Sequence, residues 1–121
     1  MGFMASYDPN NVFARILRGE LPSDRVYEDD EFIAFRDNSP MAPSHILVIP
    51  RGEAPTGPAV LIDDDAGWMG RMMVLGAKIA SEQGLDSSGY RLVFNQGDDA
   101  GQAVPHIHMH ILGGGRLGAI A

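Results

Sequence analysis

Four histidines occur in this chain of 121 residues, and three of them alternate within His106-Ile107-His108-Met109-His110-Ile111-Leu112. In an extended strand successive side chains point to opposite faces. His106, His108 and His110 are therefore expected on one face, about 7 Å apart along the strand, with Ile107, Met109 and Ile111 turned into a core. Two chemistries suit such a row. Three imidazoles plus water form a known zinc set. Here, however, the rings are spread over two strand repeats, and no Asp or Glu is interleaved to serve as outer support or base. The other chemistry is covalent. A neutral imidazole is a competent nucleophile towards phosphorus near neutral pH. Flanking rings can then stabilise charge on the phosphoryl oxygens. The spacing suits this second division of labour, with the middle ring attacking and its neighbours supporting.

Two further features belong with the row. His45 opens the apolar run His45-Ile46-Leu47-Val48-Ile49-Pro50, and it faces the same cleft if that run pairs with the histidine strand. The loop Asn95-Gln96-Gly97-Asp98-Asp99-Ala100-Gly101-Gln102 delivers the chain to His106. Its glycines allow backbone N–H groups to approach an anion closely.

The elements that must position these residues follow from pattern. Asp8-Pro9 reads as a helix N-cap with proline at the first helical position. Val12, Phe13, Ile16 and Leu17 give an apolar stripe that Gly19 closes. Residues 26–28 and 32–35 flank the acidic turn Asp29-Asp30-Glu31 as a hairpin. The run 45–50 is nearly continuous in apolar residues, which predicts a central strand. Residues 51–62 read as irregular. Acidic residues 63–65 precede a helix whose buried face is expected to carry Trp68, Met69, Met72, Met73, Gly76, Ile79 and Ala80, with Gly84 just past its end. Residues 90–95 and 105–112 complete the strands, and Gly113-Gly114-Gly115 ends the ordered pattern. The sum is an α+β domain on an antiparallel sheet of about five strands with two helices. Its expected limits are 11–115, with a flexible leader at 1–10 and a short tail at 116–121.

Composition bounds the function. Nine basic residues face sixteen acidic ones, a formal charge of −7. A sequence-independent nucleic-acid binder needs a basic surface to displace counterions, so no polymeric nucleic acid is expected. There is no cysteine, which removes disulfides, thiolate metal sites and a cysteine nucleophile. No run approaches the roughly 20 apolar residues of a membrane span, and the first residues lack the pattern of a signal peptide. A soluble, cytoplasmic protein without membrane association is expected.

Residues 106–112 fit the pattern of alternating histidine and apolar residues that defines the histidine-triad (HIT) family. Further stretches resemble its Hint branch, the histidine-triad nucleotide-binding proteins. These are Asp30–Asp37, Ser39–Pro50, Gly89–Asn95 and Gly101-Gln102, so the resemblance spans about residues 11–115. It implies a HIT-like fold whose sheet continues across a homodimer, with a nucleotide pocket near the interface. It also implies hydrolysis of purine nucleoside 5′-phosphoramidates to a nucleoside monophosphate of the AMP or GMP type and an amine, with no metal or other cofactor.

Carried over by position, His108 resembles the nucleophile that forms a nucleotidyl-histidine, and His110 the phosphate-binding partner. His106 supports the site, its carbonyl orienting the His108 ring, and His45 resembles the upstream pocket histidine. Asp37, with Asn38 beside it, matches the group that grips ribose hydroxyls. Asn95 and the Gly101, Gln102, Ala103 and Val104 backbone match the α-phosphate contacts, while Ile16, Phe35 and Leu47 surround the base. Two departures stand out. Ala103 replaces a serine frequent after Gly-Gln in the branch, and the tail is short; altered leaving-group preference is expected. The rival readings are a dinucleoside polyphosphate hydrolase of the Fhit-like branch and a nucleotide-binding regulatory dimer with little turnover.

Overall fold

The computed structural model describes residues 7–120. Residues 1–6 of the expected leader, and Ala121 of the expected tail, lie outside them. The elements in chain order are α1 (Val12–Leu17), β1 (Asp24–Glu28), β2 (Phe32–Arg36), β3 (Ser44–Pro50), α2 (Ala66–Glu82), β4 (Tyr90–Val93) and β5 (Met109–Gly113), with three short 3₁₀ turns. The five strands form one sheet in the order β1-β2-β3-β5-β4, and every neighbouring pair is antiparallel. The α+β architecture read from the sequence is the one observed.

β2 and β3 are apolar on both faces because both faces are covered. On one face Phe32, Ala34, Ile46 and Val48 pack with Met109 and Ile111 under Met72, Ile79 and Ala80 of α2. Gly76 of that helix faces the end of the Met109 side chain, which a Cβ there would displace. On the opposite face Ile33, Phe35, Leu47 and Ile49 pack with Phe13 and Ile16 of α1. The short helix thus lids the second face and leaves the neighbouring sheet surface open.

Several local expectations shift. Asn11, not Asp8, caps α1: its Oδ1 accepts the Ala14 N–H at 2.9 Å. Asp8 instead forms a turn before the helix, its Oδ1 accepting the Asn10 N–H at 2.8 Å. Met73 is 56% exposed and Met72 fully buried, because adjacent positions on a helix lie about 100° apart and only one can face the sheet. β4 ends at Val93, two residues earlier than expected.

The histidine run also differs from a single strand. β5 begins only at Met109 and takes in Gly113, the first of the glycines expected to end the pattern. Pro105 has no N–H to give, and the Ile107 N–H turns to the Pro55 carbonyl at 2.8 Å. His106 and His108 therefore precede the ladder.

Candidate active site

Strand register assembles the polar end of the α1 face. Leu47 pairs with His110 and His45 with Leu112, so His45 and His110 are diagonal neighbours on one face. Beside them, the Asp37 N–H donates to the His45 carbonyl at 2.9 Å, extending the β2–β3 ladder by one residue. The Asp37 carboxylate consequently lies 3.5 Å from His45 Nε2.

Hydrogen-bond partners fix the protons on these rings. The Met41 backbone N–H donates to His45 Nδ1 at 3.0 Å, so neutral His45 carries its proton on Nε2. That nitrogen is 2.8 Å from His110 Nδ1 and donates to it. His110 is left with its own proton on Nε2. His108 has the opposite arrangement. Its Nδ1 lies 2.8 Å from the His106 carbonyl, which only accepts, so Nδ1 carries the proton and Nε2 keeps a lone pair. The two adjacent rings, 5.1 Å apart between centroids, thus offer a base and a donor.

Burial keeps the cluster uncharged. It pushes His106 and His110 down to about 4, helped in each case by repulsion from His108. It also lowers His108, and lowers His45 against the opposing pull of Asp37. His108 is 7% exposed, with the Phe13 ring edge-on at 4.9 Å. His108 is therefore neutral at neutral pH, with the lone pair of Nε2 free.

His108 and His110 line an open cavity of about 820 Å³. Its walls combine apolar Val12, Phe13, Ile16, Phe35 and Leu47 with polar Asp37 and Asn38, and Ala103 and Val104 border it. An apolar slot with a few convergent polar groups is the usual form of a small-molecule site. The cleft between the β1–β2 hairpin and α2 carries no such chemistry: it is lined by Glu31, Arg71 and Lys78 among others, with Glu31 and Arg71 already paired at 2.7 Å.

Not every residue predicted from sequence reaches the cavity. His106 is fully buried; its Nε2–H donates to the Pro50 carbonyl at 2.9 Å and its Nδ1 accepts from the Tyr7 hydroxyl at 2.6 Å. His45 sits behind His110. Asn95 donates through Nδ2 to the Ala100 carbonyl at 3.0 Å. Gln102 accepts from the Gly97 N–H at 2.8 Å and donates to the Thr56 and Val104 carbonyls at 2.6 and 3.1 Å. Both side chains thus shape the glycine loop, in which Gly97 and Gly101 take φ of 76°. Tyr7, Met41 and Pro50 escaped the sequence reading, because two act through backbone atoms and Tyr7 through a partner 99 residues away.

Asp37, His45 and His110 bring one donor atom each within 4.8 Å of one another, a possible set for a divalent cation. Two of those atoms already share a proton, which such an ion would have to displace.

Comparison with known proteins places this geometry. A HIT domain model matches residues 18–117. The chain is 50% identical over 107 residues to the purine nucleoside phosphoramidase of Escherichia coli K12, covering 88% of this chain and 89% of that protein. A histidine triad protein from Clostridium difficile superposes with a TM-score of 0.87 at 39% identity, over 96% of this chain and 100% of that one. A HIT family hydrolase from Legionella pneumophila gives 0.85 at 41% identity, over 88% and 95%. With the match spanning most of its length, this chain belongs to the HIT-domain family.

Proposed function

We propose that this HIT-family enzyme is a hydrolase of purine nucleoside 5′-phosphoramidates acting through a nucleotidyl-histidine on His108. The observation that carries the reading is the pairing of opposite tautomers at one cavity wall, a free Nε2 on His108 beside an Nε2–H on His110. The 50% identical relative named as a purine nucleoside phosphoramidase supports the substrate class.

In the first step His108 Nε2 forms a bond to phosphorus and the phosphorus–nitrogen bond breaks, the amine leaving with a proton. The imidazole gains positive charge as it bonds, and the Nδ1–H···O=C bond to His106 strengthens with it. His110 Nε2–H and the amides of the 101–104 loop neutralise the phosphoryl oxygens. In the second step water attacks phosphorus and loses a proton, the P–Nε2 bond breaks, and the nucleoside monophosphate departs. Two modest displacements replace one difficult displacement. Asp37 and Asn38 hold the ribose, and Ile16, Phe35 and Leu47 cover the base. Ala103, at the cavity rim, supplies no hydroxyl to the leaving group, so the departing amine takes its proton from solvent.

Side-by-side assays decide the substrate. Adenosine 5′-phosphoramidate should turn over at least 10²-fold faster than a diadenosine polyphosphate, a margin typical of a site built for one leaving group. Equal or reversed rates would favour the polyphosphate hydrolase. Tight binding of monophosphate with no turnover of either would favour a regulatory role.

We also propose that two copies join into one continuous sheet through β4. The sheet has two edges. The β1 edge is interrupted by an irregularity between Arg25 and Tyr27, a device that blunts strand addition. β4 pairs regularly with β5 over its whole length, and its outer side is open to a partner strand. Sedimentation equilibrium should return twice the chain mass at micromolar concentration; a monomer there would contradict this assembly.

A further inference from the structure

We propose that Tyr7 is a positioning residue for His108, acting through the buried ring of His106. The idea rests on the nucleotidyl-histidine reading above. It begins from a gap in the ladder. The carbonyl that orients His108 belongs to residue 106, and β5 starts only at Met109, so no strand pairing fixes that carbonyl. Something else must.

Three bonds do so. The Tyr7 hydroxyl donates to His106 Nδ1 at 2.6 Å, His106 Nε2–H donates to the Pro50 carbonyl at 2.9 Å, and the Ile107 N–H donates to the Pro55 carbonyl at 2.8 Å. The first two clamp both ring nitrogens of a residue with no exposed surface. A partner lost there is not replaced at full strength by water, because a buried polar group carries its desolvation cost unpaired. The Tyr7 ring also meets the His106 ring edge-on, with centroids 5.6 Å apart.

Tyr7 is itself held. The next residue, Asp8, accepts through its carbonyl from the Asn11 N–H at 3.2 Å and Asn11 Nδ2 at 2.8 Å. Asn11 in turn caps α1, and Arg18 Nη1 donates to the Pro9 carbonyl at 2.6 Å. A rigid turn thus carries the phenol to the histidine, and Phe13 from the same helix packs on both His106 and His108. The line runs from Tyr7 to the His106 ring, to its carbonyl, to His108 Nδ1 and so to the aim of Nε2. Misplacement of a reacting atom by about 1 Å costs up to 10²-fold in rate, and loosening one of three anchors is a smaller disturbance.

Tyr7→Phe removes the hydroxyl and keeps the ring. With adenosine 5′-phosphoramidate the variant should lose about tenfold in kcat with KM within twofold of the parent. The His108 Nδ1 proton, followed by NMR without substrate, should shift and exchange faster with water. A purely structural tyrosine would lower thermal stability and leave kcat and that proton unchanged, which would overturn the proposal. Should the parent protein fail to hydrolyse the phosphoramidate, the functional reading falls, and the His108 proton alone decides the Tyr7 link. If Tyr7→Phe does not fold, the parent decides: a slowly exchanging Tyr7 hydroxyl proton supports the link, and one in rapid exchange with water overturns it.

Discussion

His108→Ala should lose 10³–10⁶-fold in turnover of adenosine 5′-phosphoramidate, the range expected when a covalent nucleophile is deleted, while nucleoside monophosphate still binds. The asymmetry follows from where the contacts lie. Asp37, Asn38 and the apolar wall of Val12, Ile16, Phe35 and Leu47 line the cavity independently of the ring, so under the proposed function truncation removes the attacking atom and leaves the residues proposed to hold ribose and base. Steady-state kinetics and calorimetric titration separate the two effects. The parent enzyme should also show the sign expected of a neutral nucleophile. Burial lowers His108 from its ordinary value, so Nε2 is free throughout the neutral range, and kcat/KM falls only as pH drops through the lowered value. An acid limb centred below 6.5 agrees with this; one above 6.5 would contradict the assignment.

His110→Ala should cost 10²–10³ in kcat, the usual consequence of removing one donor aimed at developing charge. His45→Leu should follow it in kind, at roughly tenfold to 10²-fold by the same reasoning. His45 touches the reaction only through the proton it places: with the 2.8 Å bond to His110 Nδ1 gone, His110 is free to carry its proton on either nitrogen, and the donor form is no longer enforced. Long-range nitrogen–proton NMR reads this directly, showing the Nε2–H form of His110 in the parent and a mixture in His45→Leu. Full activity in His45→Leu, or an Nδ1–H form of His110 in the parent, would break the chain from Met41 to the cavity.

The parts of the fold visible in the sequence are those where burial leaves a periodic mark. β2 and β3 could be read because coverage on both faces demands near-continuous apolar residues, and the hairpin between 28 and 32 because Asp29 supplies a turn, its Oδ1 accepting the Glu31 and Phe32 N–H groups at 2.7 Å. The helix face at 72, 76, 79 and 80 was equally plain, but its edge at Met73 was not, since composition alone does not decide which of two adjacent methionines turns outward. The alternation of histidine and apolar residues continues to 106 although the ladder stops at 109, so pattern overstated the strand.

For the site, histidine spacing and the family resemblance pointed to the rings, and β-strand register explains why His45 and His110 meet. Their proton positions depend on the Met41 N–H and on the His106 and Pro50 carbonyls, backbone groups that every residue type possesses. Sequence therefore carries no sign of them. Asp8-Pro9 and Asn11 both have the residue types of a helix start, and only the fold shows that Asn11 is the cap and that the turn before it carries Tyr7 to His106.

The most direct measurement is a rapid quench of adenosine 5′-phosphoramidate turnover followed by peptide mass spectrometry. The account predicts an adenylyl group on the peptide containing His108, bonded to that imidazole, acid-labile as a phosphorus–nitrogen bond should be, and missing from His108→Ala. An active enzyme that never accumulates the adduct and inverts configuration at phosphorus, as one direct attack by water would, or an adduct on His110 instead, would contradict it.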